Sequence, residues 1–148
     1  MKNHTRKGKY SIEKIEDILK NNQEYFATKG EVLNIEEVSM KIRRKDSRIK
    51  VIVDGEFIKK YSLRYELFIS KGCDCVECGI KGDFYALEKS SNENSYHLNL
   101  YAIKDGEEVL MTKDHIKPKS KGGLNTLVNF QTMCSSCNER KSDKYEIV

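Results

Sequence analysis

The sequence contains no tryptophan, a single proline and no long apolar run among its 148 residues. A helix that crosses a bilayer needs roughly 20 apolar residues, so we expect no membrane-spanning segment. The N-terminus is basic but lacks the apolar core of a secretory signal peptide. No internal repeat, low-complexity tract or linker rich in proline or glycine is present. We therefore expect a soluble, cytoplasmic protein.

The composition is typical of a folded domain rather than a disordered chain. Hydrophobic residues make up 38% of the sequence and charged residues 34%. A domain of this size buries roughly 70% of the surface that its unfolded chain exposes, so it can fold alone. We nevertheless expect a thin core, to which a bound metal ion would add stability.

The net charge of +4 is modest, but the positive charge is concentrated in three segments. Residues 1–9 hold four basic residues and no acid, Lys41–Lys50 holds six basic residues and one acid, and Lys113–Lys121 holds four lysines and one acid. Asp54–Leu110, in contrast, holds seven basic and eleven acidic residues. Such basic segments are compatible with binding to phosphates. A solvated surface is the alternative interpretation.

The spacing of apolar residues predicts both helices and strands. Each of three predicted helices starts near a serine: 11–22, 62–70 and 135–144. Alternating apolar residues around Asp-Gly turns predict two hairpins: 48–61 and 96–112. We expect a further short strand at 130–133 and a poorly ordered basic tail at 1–9, whereas 31–38 is ambiguous. The C-terminal half is therefore predicted to run strand, loop, strand, helix.

The five cysteines indicate a metal site. An odd number of cysteines in a chain expected to be cytoplasmic argues against a disulfide framework. Four of them form two Cys-x-x-Cys pairs, Cys75 with Cys78 and Cys134 with Cys137. A closed set of four thiolates suits a structural zinc ion. Cys73 is the expected odd residue, although it could replace Cys75 at a poorer spacing. Four buried free cysteines are the alternative.

Two segments carry a longer pattern: ELFISKGCDCVECG at Glu66–Gly79 and LMTKDHIKPKSKGGLNTLVNFQTMCSSCNERKSDK at Leu110–Lys144. The pattern D-H-I-x-P-x-S-x-G-G, then Asn-aromatic and C-x-x-C-N, is specific. It resembles the HNH nuclease family, also known as ββα-metal or His-Me finger nucleases. The resemblance implies an α+β fold, with a ββα-metal HNH nuclease domain at 66–148 that is stabilised by a four-cysteine zinc site. Residues 1–65 would be an N-terminal α/β extension that sets target choice or dimer contacts.

The resemblance also implies roles for four polar residues. Asp114 corresponds to the metal-binding carboxylate of the family, and His115 to the general base that takes a proton from the attacking water. Asn129 corresponds to the middle Asn, which pins the loop and orients the His. Asn138 corresponds to the second metal ligand, on the last helix. Oxygen ligands suit Mg²⁺ or Mn²⁺, and Asn at position 138, where other members use His, is expected to favour Mg²⁺.

The function implied is that of a metal-dependent endonuclease that hydrolyses DNA to 5′-phosphate and 3′-hydroxyl ends. The expected partner is double-stranded DNA, and cutting both strands would need a homodimer or two binding events. A phage or homing enzyme, a restriction enzyme or a packaging-associated nickase would fit. The alternatives are a non-catalytic zinc-containing DNA-binding module and a structural zinc protein of unrelated role.

Basic residues around these motifs are expected to contact phosphates. In the family the last helix lies against the minor groove of the duplex, and the N-terminal basic run could extend the contact area. The expected contact residues are Lys117, Lys119, Lys121, Arg140, Lys141, Lys144, Arg43 and Arg44.

Overall fold

The structure, a computed structural model, describes residues 4–28, 31–34 and 46–144. These residues form the helices α1 (Ile12–Asn21), α2 (Leu63–Lys71) and α3 (Ser135–Lys141). The strands are β1 (His4–Ser11), β2 (Tyr25–Thr28), β3 (Glu31–Asn34), β4 (Ile49–Val53), β5 (Glu56–Lys59), β6 (Gly82–Ser90), β7 (His97–Lys104), β8 (Glu107–His115) and β9 (Phe130–Cys134). The α+β class is confirmed. Within the described residues, no helix combines the length and the apolar character needed to cross a membrane.

The described strands form two sheets, hydrogen-bonded in the orders β1-β6-β7-β8-β9 and β3-β2-β4-β5. The chain divides by internal packing into two compact units. The first contains the described residues up to Ser62 together with Tyr85–Asn99, and the second contains Leu63–Phe84 together with the described residues from Leu100 onward. Strands β6 and β7 contribute residues to both units. The expected division into domains 1–65 and 66–148 stays a prediction.

In the first unit, α1 packs on the sheet β3-β2-β4-β5. The Ser11 hydroxyl accepts a hydrogen bond from the Lys14 amide at 3.1 Å, which caps the helix as predicted. Ile15 of the helix is fully buried, as is Val51 of β4. Burial alternates along β4, so one face of the sheet is covered and the residues between are only partly buried.

The prediction of a poorly ordered tail was wrong for residues 4–9, which lie in β1. Arg6 Nε donates to Glu88 Oε2 at 2.6 Å, and the buried Glu88 also accepts from Asn99 Nδ2 at 2.8 Å. Lys7 Nζ lies 2.7 Å from Glu56 Oε2. Arg6 and Lys7 of β1 are therefore paired with acids from distant strands. Local charge cannot reveal partners that are so far apart in sequence.

Three further strands were not predicted: β2, β3 and β6. Five consecutive residues of β6, 84–88, are buried, so the alternation that marks a half-buried strand is missing. Within the ambiguous segment, 31–34 form β3 and the remainder lies outside the described residues. Helix α3 ends at Lys141 rather than near residue 144, because Ser142 adopts a φ of 49° that a right-handed helix cannot continue through.

In the second unit, both predicted features around residues 104–134 are present. Asp105 and Gly106 both have positive φ, as a tight two-residue hairpin turn requires, and they join β7 to β8. Strand β8 pairs antiparallel with β9, from Met111 opposite Cys134 to His115 opposite Phe130. The order of β8, loop, β9 and α3 is the predicted strand, loop, strand, helix.

Candidate functional site

A cavity of about 280 Å³ lies between the end of β8, the loop that follows and α3. Asp114 and His115 reach it from the end of β8, and Asn138 reaches it from the first turns of α3. The structure therefore brings together three of the four polar residues to which the family resemblance gave roles. Lysines 113, 119 and 141 also line the cavity, so an anionic ligand would be attracted to it.

Asp114 is held by two donors on one of its oxygens. The side chain is buried, with 6% of the residue exposed. Its Oδ2 accepts from Gln131 Nε2 at 2.9 Å and lies 3.2 Å from Lys141 Nζ. Gln131 is the residue directly opposite Asp114 on β9. These contacts offset the burial of the carboxylate, and they leave Oδ1 as the oxygen available to a cation.

Asn138 is oriented by Thr112. The Thr112 hydroxyl donates to the Met133 carbonyl at 2.8 Å, so its oxygen can only accept from Asn138 Nδ2, which lies 2.8 Å away. The amide nitrogen of Asn138 therefore faces Thr112, and its Oδ1 is the remaining ligand atom. Sequence reasoning missed both Thr112 and Gln131. The sequence did contain an indication of each. Thr112 lies two positions before Asp114 and Gln131 two positions after Asn129, and both are polar residues on predicted strands.

His115 has one of its ring nitrogens fixed by Asn125. His115 Nε2 lies 2.6 Å from Asn125 Oδ1, and the ring edge packs against the Phe130 ring with centroids 4.9 Å apart. Because the amide oxygen can only accept, Nε2 carries the proton. In the neutral ring this leaves Nδ1 with the lone pair that accepts a proton. Asn125 was not predicted as a site residue.

Asn129 does not line the cavity but closes the loop between β8 and β9. Its Oδ1 accepts from the Lys117 amide at 2.9 Å, and its Nδ2 donates to the carbonyls of Lys117 at 3.0 Å and Leu124 at 2.9 Å. Gly123 allows this closure, because a Cβ there would lie 1.7 Å from the Lys117 carbonyl oxygen. The two ends of the loop are thus held together by one side chain.

Two of the basic residues predicted to contact phosphates, Arg140 and Lys141, already have protein partners. Lys141 Nζ donates to the His115 carbonyl at 2.9 Å as well as contacting Asp114. Arg140 Nη2 lies 3.0 Å from Cys137 Sγ. Arg140 and Lys144 line a second cavity of about 460 Å³. Lys117, Lys119 and Lys121 are exposed, whereas Arg43 and Arg44 lie outside the described residues.

Lys113 adds positive charge beside Asp114 and His115. Burial lowers the pKa of Lys113, and the positive charges of Arg64 and Lys119 lower it further. Its ammonium lies 4.1 Å from the centroid of the Phe130 ring, where the ring face attracts a cation. Lys113 was counted in a basic segment of the sequence but was not named among the expected contact residues, although it directly precedes Asp114.

The two Cys-x-x-Cys pairs come together as predicted. The sulfur atoms of Cys75, Cys78, Cys134 and Cys137 all lie within 4.8 Å of one another, and those of Cys78 and Cys134 are 3.9 Å apart. Four thiolates around a tetrahedral zinc ion are separated by about 3.8 Å, so the cluster could hold zinc. Cys73 is not a member, and its sulfur lies 3.8 Å from the Phe68 carbonyl oxygen.

The electrostatics of the cluster also fit a cation. Burial, followed by hydrogen bonds with the other three cysteines, raises the pKa of the Cys137 thiol to about 12. Burial also opposes ionisation of Cys75, but hydrogen bonds led by the backbone amides of Cys78 and Cys134 lower its pKa to about 6. Four thiolates this close would repel one another, and a divalent ion among them removes that repulsion.

Comparison with known proteins gives a match, and it lies in the part of the chain that lines the 280 Å³ cavity. Residues 102–144 match the family model described as HNH endonuclease. No curated protein and no solved structure matches the chain. The matched span contains Asp114, His115, Asn129 and Asn138. In residues 102–144 this chain is therefore similar to the HNH endonuclease family.

Proposed function

We propose that the protein is a metal-dependent endonuclease that hydrolyses phosphodiester bonds in double-stranded DNA. The family match at 102–144 supports nuclease activity. The observation that carries the proposal is the convergence of Asp114, His115 and Asn138 on one cavity. Strands β8 and β9 with α3 would then form the ββα-metal motif of the family.

Asp114 and Asn138 would hold a divalent ion through their Oδ1 atoms. A carboxylate and an amide oxygen suit Mg²⁺ or Mn²⁺ better than softer ions. When bound, such an ion neutralises charge on the scissile phosphate and stabilises the leaving 3′-oxygen. Gln131 and Thr112 would act as positioning residues, because each binds the other polar atom of a ligand side chain.

His115 would act as the general base. Its Nδ1 accepts a proton from water while Asn125 Oδ1 keeps the proton on Nε2. The water oxygen forms a bond to phosphorus as the bond from phosphorus to the 3′-oxygen breaks. The released strand ends are a 5′-phosphate and, after the 3′-oxygen takes up a proton, a 3′-hydroxyl. Asn129 would support this step by holding the loop that carries Asn125.

The four-cysteine cluster would hold zinc as a structural ion. Four thiolates close a tetrahedral sphere and leave no coordination position for substrate. Cys134 and Cys137 lie at the end of β9 and the start of α3, and Cys75 and Cys78 follow α2. The zinc ion would therefore fix α3, and with it Asn138, relative to the rest of this unit.

Plasmid nicking tests the proposed function. The full chain is mixed with supercoiled plasmid and Mg²⁺, and we expect nicked circles that DNA ligase can reseal directly, because ligase needs a 5′-phosphate beside a 3′-hydroxyl. The same reaction in Mn²⁺, Ni²⁺ and Zn²⁺ tests the ion preference. DNA binding without nicking in any of these ions would favour the non-catalytic module instead. Negligible nicking in Mg²⁺ beside Ni²⁺ would contradict the assigned metal.

Thr112→Val is expected to weaken Mg²⁺ or Mn²⁺ binding by about tenfold or more, because partners that orient a metal ligand commonly contribute that much. Valine has the shape of threonine but cannot accept the hydrogen bond from Asn138 Nδ2. Isothermal titration calorimetry without DNA measures the affinity. Thr132→Val is the matched control, since that hydroxyl donates to the Gly72 carbonyl at 2.7 Å, away from the cavity. Equal affinities in the two variants would contradict the positioning role of Thr112.

A further inference from the structure

The sheet β3-β2-β4-β5 has one face that α1 does not cover. The strand registers pair Tyr25 with Lys50, Lys50 with Lys59, and Ile52 with Phe57, which places these side chains on the same face. The buried residues Ile49, Val51, Val53 and Ile58 alternate with them and lie on the opposite face, where α1 packs. We define the open face by Tyr25, Lys50, Ile52, Phe57 and Lys59.

The open face carries the positive charges of two lysines. Lys50 and Lys59 are directly opposite each other on antiparallel strands, an arrangement that is unfavourable for like charges. Burial lowers the pKa of Lys50, and the charge of Lys59 lowers it further. Among the described residues, neither lysine forms an ion pair with an acid.

Two aromatic rings lie on the same face as the lysines. The Tyr25 and Phe57 rings meet edge to face, with centroids 5.7 Å apart. Phe57 is 37% exposed, although it is among the larger apolar side chains of this unit. Aromatic rings stack on unpaired bases, and neighbouring lysines contact the phosphates that link them. An uncovered sheet face suits an extended single strand, whereas the major groove of a duplex accepts a helix or a two-stranded ribbon.

We propose that the open face binds single-stranded nucleic acid, with Lys50 and Lys59 on phosphates and Tyr25 and Phe57 against bases. This site goes beyond the proposed nuclease activity, since it uses no residue of the cavity around Asp114. Its function would be to hold a strand that is not being cut, or a single-stranded region beside the cleavage site.

Fluorescence anisotropy of a labelled oligothymidine tests the site. An oligomer of about 12 nucleotides is within the range of lengths that single-strand binding folds cover. The full chain carries His115→Ala throughout and no divalent ion is added, so that the probe stays intact. We expect Phe57→Leu to weaken binding about tenfold through lost stacking. The double variant Lys50→Gln with Lys59→Gln should lower the slope of log affinity against log salt by about 1.4, the value for two phosphate contacts on a single strand.

The matched control is the double variant Lys14→Gln with Lys20→Gln, which removes the same charge from exposed positions on α1. It should alter the salt dependence much less. Photo-crosslinking with an iodouracil-substituted oligomer, followed by mass spectrometry, should identify peptides that contain Tyr25 or Phe57. An RNA oligomer of the same length reports whether the strand is DNA or RNA, and binding of either supports the site.

Three results would overturn the proposal: duplex bound as tightly as the single strand, equal salt slopes in the two double variants, or crosslinks confined to residues outside β2, β4 and β5. Sedimentation that shows a dimer disrupted by Phe57→Leu, with oligomer binding unchanged, would assign the face to a second copy of the chain. None of these results bears on plasmid nicking by the unaltered protein, so a failure here is distinguishable from a failure of the nuclease proposal.

Discussion

His115→Ala is expected to lower the rate of plasmid nicking by roughly a thousandfold, since a positioned general base commonly contributes a factor of about 10² to 10⁴. The alanine variant has no group to accept the proton of the attacking water. Asp114 and Asn138 are unchanged, so affinity for Mg²⁺ and for DNA should stay close to that of the unaltered protein. Initial rates of nicking, with metal and DNA affinities measured separately, check this separation of chemistry from binding.

His97→Ala is the matched control for that experiment. His97 is also a half-buried histidine on a strand, but it belongs to β7 and lies 3.5 Å from Glu93 Oε1. We expect its nicking rate to equal that of the unaltered protein. If His115→Ala nicks as fast as His97→Ala, the general-base role is wrong. If its DNA affinity falls in parallel with its rate, the histidine acts in binding rather than in proton transfer.

Cys137→Ser is expected to lower the free energy of unfolding by about 4 kcal/mol, because loss of a structural metal is among the most destabilising single changes. Cys137 is buried within the cluster, and a serine hydroxyl is a poor ligand for zinc. We also expect the purified variant to contain much less zinc than the unaltered protein. Chemical denaturation measures the stability, and elemental analysis by mass spectrometry measures the zinc.

Cys73→Ser provides the control for the zinc site, since its sulfur lies outside the cluster and against the Phe68 carbonyl. This variant should keep its zinc and most of its stability. Unaltered protein that contains no zinc when purified without chelator would contradict the structural metal. Equal zinc loss in the two variants would instead place Cys73 among the ligands, which is the alternative that the sequence left open.

The predictable parts of the fold are those with a strong local pattern. The β7–β8 hairpin follows from alternating residues around Asp105-Gly106, and α1 follows from Ser11 and apolar residues at helical spacing. Strand β6 escaped prediction because both of its faces are buried over 84–88. Strand β1 escaped because its partners, strand β6 and the Glu88 side chain, are distant in sequence. Contacts between residues that are distant in sequence produce no local residue pattern that a single sequence could reveal.

In the candidate site, too, residues that belong to a local sequence pattern were predicted, and residues that depend on long-range pairing were not. Asp114, His115 and Asn138 were predicted because their residue types and spacing match a specific pattern. Thr112, Asn125 and Gln131 were missed because their importance depends on strand register and loop closure. Gln131 reaches Asp114 only because β8 and β9 pair with those two residues opposite each other. The direction of Lys141, toward Asp114 instead of solvent, likewise depends on how α3 packs on β8.

Cys137 and Asn138 are consecutive residues in α3. This adjacency would make the proposed magnesium site depend on the proposed zinc site. Removal of the proposed zinc ion would release the Cys137 thiolate and let the neighbouring Asn138 amide shift with it. Cleavage would then stop even where magnesium is plentiful. The proposed zinc ion would in this way control cleavage that depends on magnesium, without itself taking part in the reaction.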